Sequence, residues 1–242
     1  MIRVHGVREP GGAALVALAL LVLGGTGLGA QERGQDTRPG IAVLPFENGG
    51  SYGQDREIFK ALQCGIASMV ISELSANPAV RVVEREEVLR VLEPQSVGPT
   101  GHVAPPTAAT LGKLVSARYV VLGQFVDFYG DVRLDARLVN TETGEIMKVE
   151  RDQASRDHLF QLIQDVAGRL MKDANLPPVP KQVAEQRMNR HIPTDALIAY
   201  SRALLYHDRG DHAKAREMYT QALQAFPPYA EASEGLKREP SS

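Results

Sequence analysis

The sequence predicts an α/β fold, a mixed β-sheet with helices on its faces, followed by a small all-α helical hairpin. Three observations carry that expectation. Short β-branched runs alternate with longer stretches of helical spacing in the order β-α-β-α-α-β-β-β-α; the early crossovers favour parallel pairing and the later meander is antiparallel. A proline-rich stretch, 176–193, then interrupts the apolar periodicity. Beyond it, two amphipathic segments meet at Arg209-Gly210-Asp211.

The first 30 residues read as a secretory signal peptide. Arg3, His5 and Arg8 precede an unbroken apolar run from Ala13 to Leu23 and the small-residue stretch GGTGLGA. About eleven apolar residues suit a signal core and fall short of the ~20 that cross a bilayer as a helix. Cleavage is expected after Ala30, which sends a soluble chain to the periplasm with no stable membrane insertion. Residues 31–40, polar and rich in breakers, read as a flexible leader.

The predicted α/β domain covers 41–175. IAVLPF, 41–46, is a continuous apolar run suited to a strand buried on both faces. Ile58, Leu62, Ile66, Val70 and Leu74 then form an i+4 row on a helix of about 20 residues that stops before Asn77-Pro78. VRVVE, 80–84, is a second strand and REEVLRVLE, 85–93, a short helix; a surface loop follows from Pro94 to Pro106. Thr107 is the expected N-cap of the next short helix. Residues 118–128 and 132–139 read as a hairpin turning at Tyr129-Gly130-Asp131, with Val132, Leu134, Ala136 and Leu138 inward and Arg133, Asp135 and Arg137 outward. A third antiparallel strand, 146–154, and a helix from Asp157 to Ala174 complete the domain. Residues 176–193 read as a linker stiffened by proline, and 194–238 as a helical hairpin with a capping helix at 230–237.

Composition narrows the function. Against 29 acidic side chains stand 27 Lys and Arg, with no basic block, which excludes the electrostatic footprint of a nucleic-acid binder. One cysteine closes no intrachain disulfide and builds no zinc ribbon.

The C-terminal segment resembles one tetratricopeptide repeat: Ala203, Tyr206, Gly210-Asp211, Ala215, Tyr219, Ala222 and Pro227 fall at the repeat's spacings. Residues 40–175 resemble the CsgG/TolB amino-terminal superfamily of bacterial envelope proteins, which includes curli assembly and secretion components. The resemblance is carried by IAVLPFEN at 41–48, RVVERE at 81–86, LGKLVSARYVVLGQF at 111–125 and RLVNTETGEI at 137–146. It implies an α/β sandwich used for assembly, so the chain is expected to be a non-enzymatic envelope docking module. A second class stays open, a subunit of a CsgG-type oligomeric outer-membrane channel. Against it stand the missing lipid-attachment cysteine and the presence of only one long hairpin, already used by the core sheet.

Chemistry finds bland explanations. Cys64 lies near the helix core row and suits a small buried hydrophobe. Glu84, Glu86 and Glu87 surround a helix start, where carboxylates favour the dipole. His207 and His212 are five apart across a turn and miss the i, i+4 spacing of a helical metal pair, while Asp127, Asp131 and Asp135 lack an EF-hand pattern. ENGGSYG reads as a flexible loop. No metal, no cofactor and no catalytic group is expected.

Partner binding is assigned to one stripe. Leu197, Tyr200, Leu204 and His207 fall at i, i+3, i+7 and i+10, away from Ala199, Ala203 and Tyr206, which face the second helix. A single repeat buries too little to stand alone, so the stripe must be covered by the α/β domain, by another copy, or by a ligand, the expected partner being an envelope protein. All three occupants stay open in the sequence, self-association among them.

Overall fold

The computed structural model describes residues 36–53, 55–92, 103–173 and 176–240. The signal peptide, the leader up to residue 35 and most of the predicted 94–106 loop lie outside the described residues.

A mixed sheet of six strands forms the centre. It comprises β1 (Gly40–Val43), β2 (Glu47–Asn48), β3 (Arg81–Val82), β4 (Tyr119–Phe128), β5 (Asp131–Asn140) and β6 (Ile146–Ser155), in the order β3-β1-β4-β5-β6 with β2 also on β4. β1 lies parallel to β3 and β4, whereas β4-β5-β6 is an antiparallel meander. The predicted strand 41–46 is therefore split. Pro45 has no N–H to give a ladder, and the amide of Phe46 turns away to donate to the carbonyl of Gln63. β2 resumes the pairing with β4 in the same parallel sense. Phe46 is fully buried across the sheet because Gly123 leaves room: a Cβ there would stand 2.0 Å from the ring.

Strand alternation divides the core into two layers. Ile41, Val43, Val121 and Phe125 face α1 (Arg56–Ser75) and α4 (Leu159–Asp173). Ala42, Leu44, Val120 and Leu122 face α2 (Arg85–Leu92) and α3 (Pro105–Leu114). The predicted i+4 row is buried from Leu62 onward, with Ile58 packed at its margin. Among the described residues α1 alone has the length and apolarity of a membrane span, and its apolar side chains are spent on this core.

Three local expectations need correction. Helix α3 opens two residues before Thr107, at Pro105 and Pro106, with Ala104 as its N-cap. A proline's fixed φ suits the first helical turn, where its missing N–H has no partner to lose. Asp135 points away from the α1 layer as predicted yet is buried, held by Gln124, Arg151 and Arg133. The segment 176–193 contains α5 (Lys181–Met188), which has no apolar periodicity and is fixed by charge: Arg187 Nε donates to the buried Glu73 at 2.8 Å and its guanidinium to the Ser72 carbonyl.

The hairpin turn falls where the sequence places it. Tyr129 and Gly130 both have positive φ, +54° and +99°, as a two-residue type I′ loop requires. Asp127 seals the tip from below, accepting from Gly130 N and from Arg156.

At the C-terminus α6 (Thr194–Asp208), α7 (His212–Ala225) and α8 (Ala230–Arg238) match the predicted helices within a residue or two. They share one compact unit with the sheet and pack along the outer side of α1.

Candidate functional site

α1 presents a second face to these helices. Its members are small or polar: Cys64, Gly65, Ser68 and Ser72. At Gly65 an added Cβ would come within 1.8 Å of Ser201 Oγ and 3.2 Å of the Ser201 Cα, so α1 and α6 nearly touch backbone to backbone. From that point outward polar links tie the two helices. Ser68 Oγ and the Tyr200 hydroxyl lie 2.8 Å apart, and Glu57 accepts from the Tyr206 hydroxyl and from Arg202, both at 2.9 Å. Arg85, the first residue of α2, reaches across to Asp208 at the end of α6. Glu231 on α8 is held by Ser72 and Arg190.

Where α2, α6 and α8 diverge around α1, a cavity of about 230 Å³ remains. Tyr200, Leu204 and Tyr219 give it aromatic and aliphatic walls, and Glu84, Glu86 and Glu234 give it an acidic rim. Arg85 lines it as well. Its Nη2 is committed to Asp208, whereas Nη1 is buried with no acceptor.

The predicted stripe is therefore not an exposed face. Leu197, Tyr200 and Leu204 are buried, 7 % exposed at most, because the close approach at Gly65 brings α1 over them. Leu197 belongs to the shared core. Tyr200 is wedged between Tyr219 and Tyr229, with ring centroids at 6.0 and 5.0 Å, and shares the cavity wall with Leu204 and the partly exposed His207. Of the three occupants the sequence left open, the chain's own α/β layer covers most of the stripe and leaves its far end as cavity wall.

Protonation follows burial and partners. Burial pushes the Tyr200 phenol up to about 12 and raises the Cys64 thiol, the reverse of what activates a nucleophilic cysteine. Burial works against the charge on Arg85, but the adjacent Asp208 more than offsets it and raises its pKa. Glu57 is lowered chiefly by the Tyr206 hydrogen bond. For Glu231 burial pulls upward and the hydrogen bonds from Arg190 and Ser72 prevail, so its carboxyl sits below the usual range.

Sequence reasoning missed Arg85 and Glu231. Both stand among ordinary helix-terminal charges, and only the packing of helices distant in sequence turns them inward. As a binding surface the cavity combines aromatic and aliphatic walls with an acidic rim, which suits a peptide segment carrying a basic side chain.

Residues 27–133 match the family described as curli production assembly/transport component CsgG. No curated protein matches the sequence. The chain is similar in structure to the LpoB C-terminal domain from Salmonella enterica, at 17% identity and a TM-score of 0.34, over 48% of this chain and 82% of that one. It is similar to a lipoprotein from Neisseria meningitidis at 16% identity and a TM-score of 0.40, over 56% and 96%. To the PelC dodecamer from Paraburkholderia phytofirmans it is 13% identical with a TM-score of 0.36, over 56% and 86%.

Proposed function

We propose that the protein is a non-enzymatic docking module of the cell envelope, and that the cavity between α1, α2 and the C-terminal helices receives a basic segment of a partner protein. The observation that carries this reading is the cavity itself, walled by Tyr200, Leu204 and Tyr219 with Glu84, Glu86 and Glu234 at its mouth. Residues 27–133 supply the envelope context through their match to an assembly and transport component. In this reading α6 to α8 serve as a tetratricopeptide-type recognition hairpin whose partner contacts come from Tyr200, Leu204 and His207 at the cavity rather than from an open stripe. The signal-like leader directs the chain to the periplasm, where the mature protein begins near Gln31.

The test uses the full mature chain, 31–242, immobilised and exposed to envelope extract. Wild type is expected to retain a partner that Glu84→Lys with Glu86→Lys releases, while the variant keeps its cooperative melting transition, since both side chains are exposed and a charge at the start of a helix is worth only about 0.3–1 kcal/mol. Retention of the same partner by that double variant overturns the cavity as the binding site. Fractionation addresses the envelope role separately: recovery of the chain only in detergent-extracted membrane would favour a channel subunit over a soluble module.

A further inference from the structure

We propose that His207, His212 and Glu239 form a binding site for one divalent transition-metal ion, with Zn²⁺ the ion their donor set fits best. The sequence argued against it, because His207 and His212, five apart across a turn, miss the i, i+4 spacing that puts two imidazoles on one helical face. The turn itself brings them together. α6 ends at Asp208, α7 begins at His212, and Gly210 at φ +73° folds the chain between them, which brings the two imidazole rings to 5.8 Å.

Glu239 completes the set from a third element. Helix α8 stops at Arg238, and the extended backbone of Glu239, φ −68° and ψ 136°, turns its side chain inward. Arg216 Nη1 donates to the Glu239 carbonyl at 3.4 Å, fixing the backbone as well. One carboxylate oxygen lies 2.6 Å from Nδ1 of His207 and the other 2.8 Å from Nδ1 of His212. The three donor groups lie within 4.8 Å of one another.

Burial and chemistry select a cation. The Glu239 carboxylate is fully buried, while the imidazoles that face it are 36% and 45% exposed. A buried carboxylate needs a compensating charge, and a bound cation supplies it. Two nitrogen donors and one carboxylate, open to water on one side, are the ligand set of a four-coordinate zinc ion that completes its shell with solvent. Bonds of ~2.0–2.1 Å at tetrahedral angles put ligand atoms about 3.3 Å apart. The present N–O separations of 2.6 and 2.8 Å must open by about 0.5–0.7 Å to reach that, a movement that side-chain torsions supply. Each imidazole binds through the lone pair of Nδ1 with its proton on Nε2, so any proton held on Nδ1 passes to solvent. The ion would clasp the end of α6, the start of α7 and the end of α8. The inference rests on these three side chains; His207 and Glu239 also line the docking cavity, whereas His212 lies outside its lining, so loss of metal binding in His212→Ala is read apart from partner docking.

The full mature chain, stripped with a chelator and dialysed, is titrated with ZnCl₂ by calorimetry and melted with and without the ion. One Zn²⁺ per chain is expected, with a rise in melting temperature of about several degrees at saturating metal. His212→Ala, at the exposed edge, and Glu239→Gln should each weaken binding at least about tenfold, since even outer-shell partners of a metal contribute ~10- to 100-fold. Should the buried Glu239→Gln variant fold poorly, His212→Ala decides alone. His158→Ala and His191→Ala, placed elsewhere, should bind as wild type. The proposal is overturned if stripped wild type takes up no Zn²⁺ below about millimolar concentration. It is equally overturned if His212→Ala binds as tightly as wild type, or if either control substitution abolishes uptake.

Discussion

The two faces of helix α1 do opposite kinds of work. Toward the sheet it presents Phe59, Leu62, Ile66 and Val70, large side chains that exclude water from a dry layer. Toward α6 it presents Cys64, Gly65, Ser68 and Ser72, whose smallness lets a neighbouring helix approach and whose polar atoms are satisfied across the contact. The first face holds by burial of area and tolerates no charge. The second holds by fit, and leaves a cavity where the fit ends. A helix that joins a hydrophobic layer to a docked hairpin in this way makes the domain and the hairpin one unit.

The largest expected effect lies on the sheet side. Leu62 is fully buried, so Leu62→Asp places an uncompensated carboxylate in the apolar layer, at a cost of several kcal/mol against a total stability of about 5–15. Loss of the cooperative melting transition is expected by circular dichroism. An unchanged melt would mean the row does not face the core.

Gly65→Ala, three residues on, attacks only the other face. The added methyl meets the Ser201 side chain and backbone, so α6 must shift outward, with overpacking of about 1–3 kcal/mol. Hydrogen exchange sharpens the contrast: amides of α6 and α7 should lose protection while those of β4 and β5 keep theirs. Equal loss in both would show that hairpin and sheet open together, and the distinction between the faces would fail.

This contrast also explains what was legible in the sequence. Strands, helices and the place of the hairpin turn were readable because their signals are local: alternation at 132–138, the i+4 row, and Tyr129-Gly130-Asp131. Helix α5 escaped because Arg187 and Glu73, 114 residues apart, hold it rather than an apolar stripe of its own. The stripe at Leu197, Tyr200 and Leu204 was visible as apolar, but its covering was not, since a Gly and two Ser on α1 carry no periodic signal. Convergence of His207, His212 and Glu239 depends on a turn and a helix end meeting in space, which residue spacing does not encode.

A smaller effect is expected where a single hydrogen bond crosses the second face. Ser68→Ala leaves the buried Tyr200 hydroxyl without its partner, at a cost of about 1–3 kcal/mol. Tyr200→Phe in the Ser68→Ala background should recover much of this, because removing both partners leaves nothing unsatisfied. If the double variant melts no higher than Ser68→Ala alone, the bond is not what links the helices there.

The smallest effect belongs to acid. Glu57 and Glu231 both hold carboxyls lowered from an ordinary value of 4.5, Glu57 first through Tyr206, and Glu231 through Arg190 and Ser72 against its burial. A group whose folded pKa lies below its unfolded value adds stability that is complete above the unfolded pKa and is lost as pH falls through the folded one. The hairpin contact should thus be steady from neutrality to about pH 5 and weaken below about pH 4.5, before the apolar sheet layer responds. Glu231→Gln should flatten that acid limb more than Glu57→Gln, because the Glu57 side chain is 45% exposed and its pair with Arg202 is screened by solvent to less than about 1 kcal/mol. Thermal melts from pH 7 to pH 3 on the three chains decide the order. A Glu57→Gln profile flatter than that of Glu231→Gln would place the pH-sensitive link at the start of α1 rather than beside the cavity.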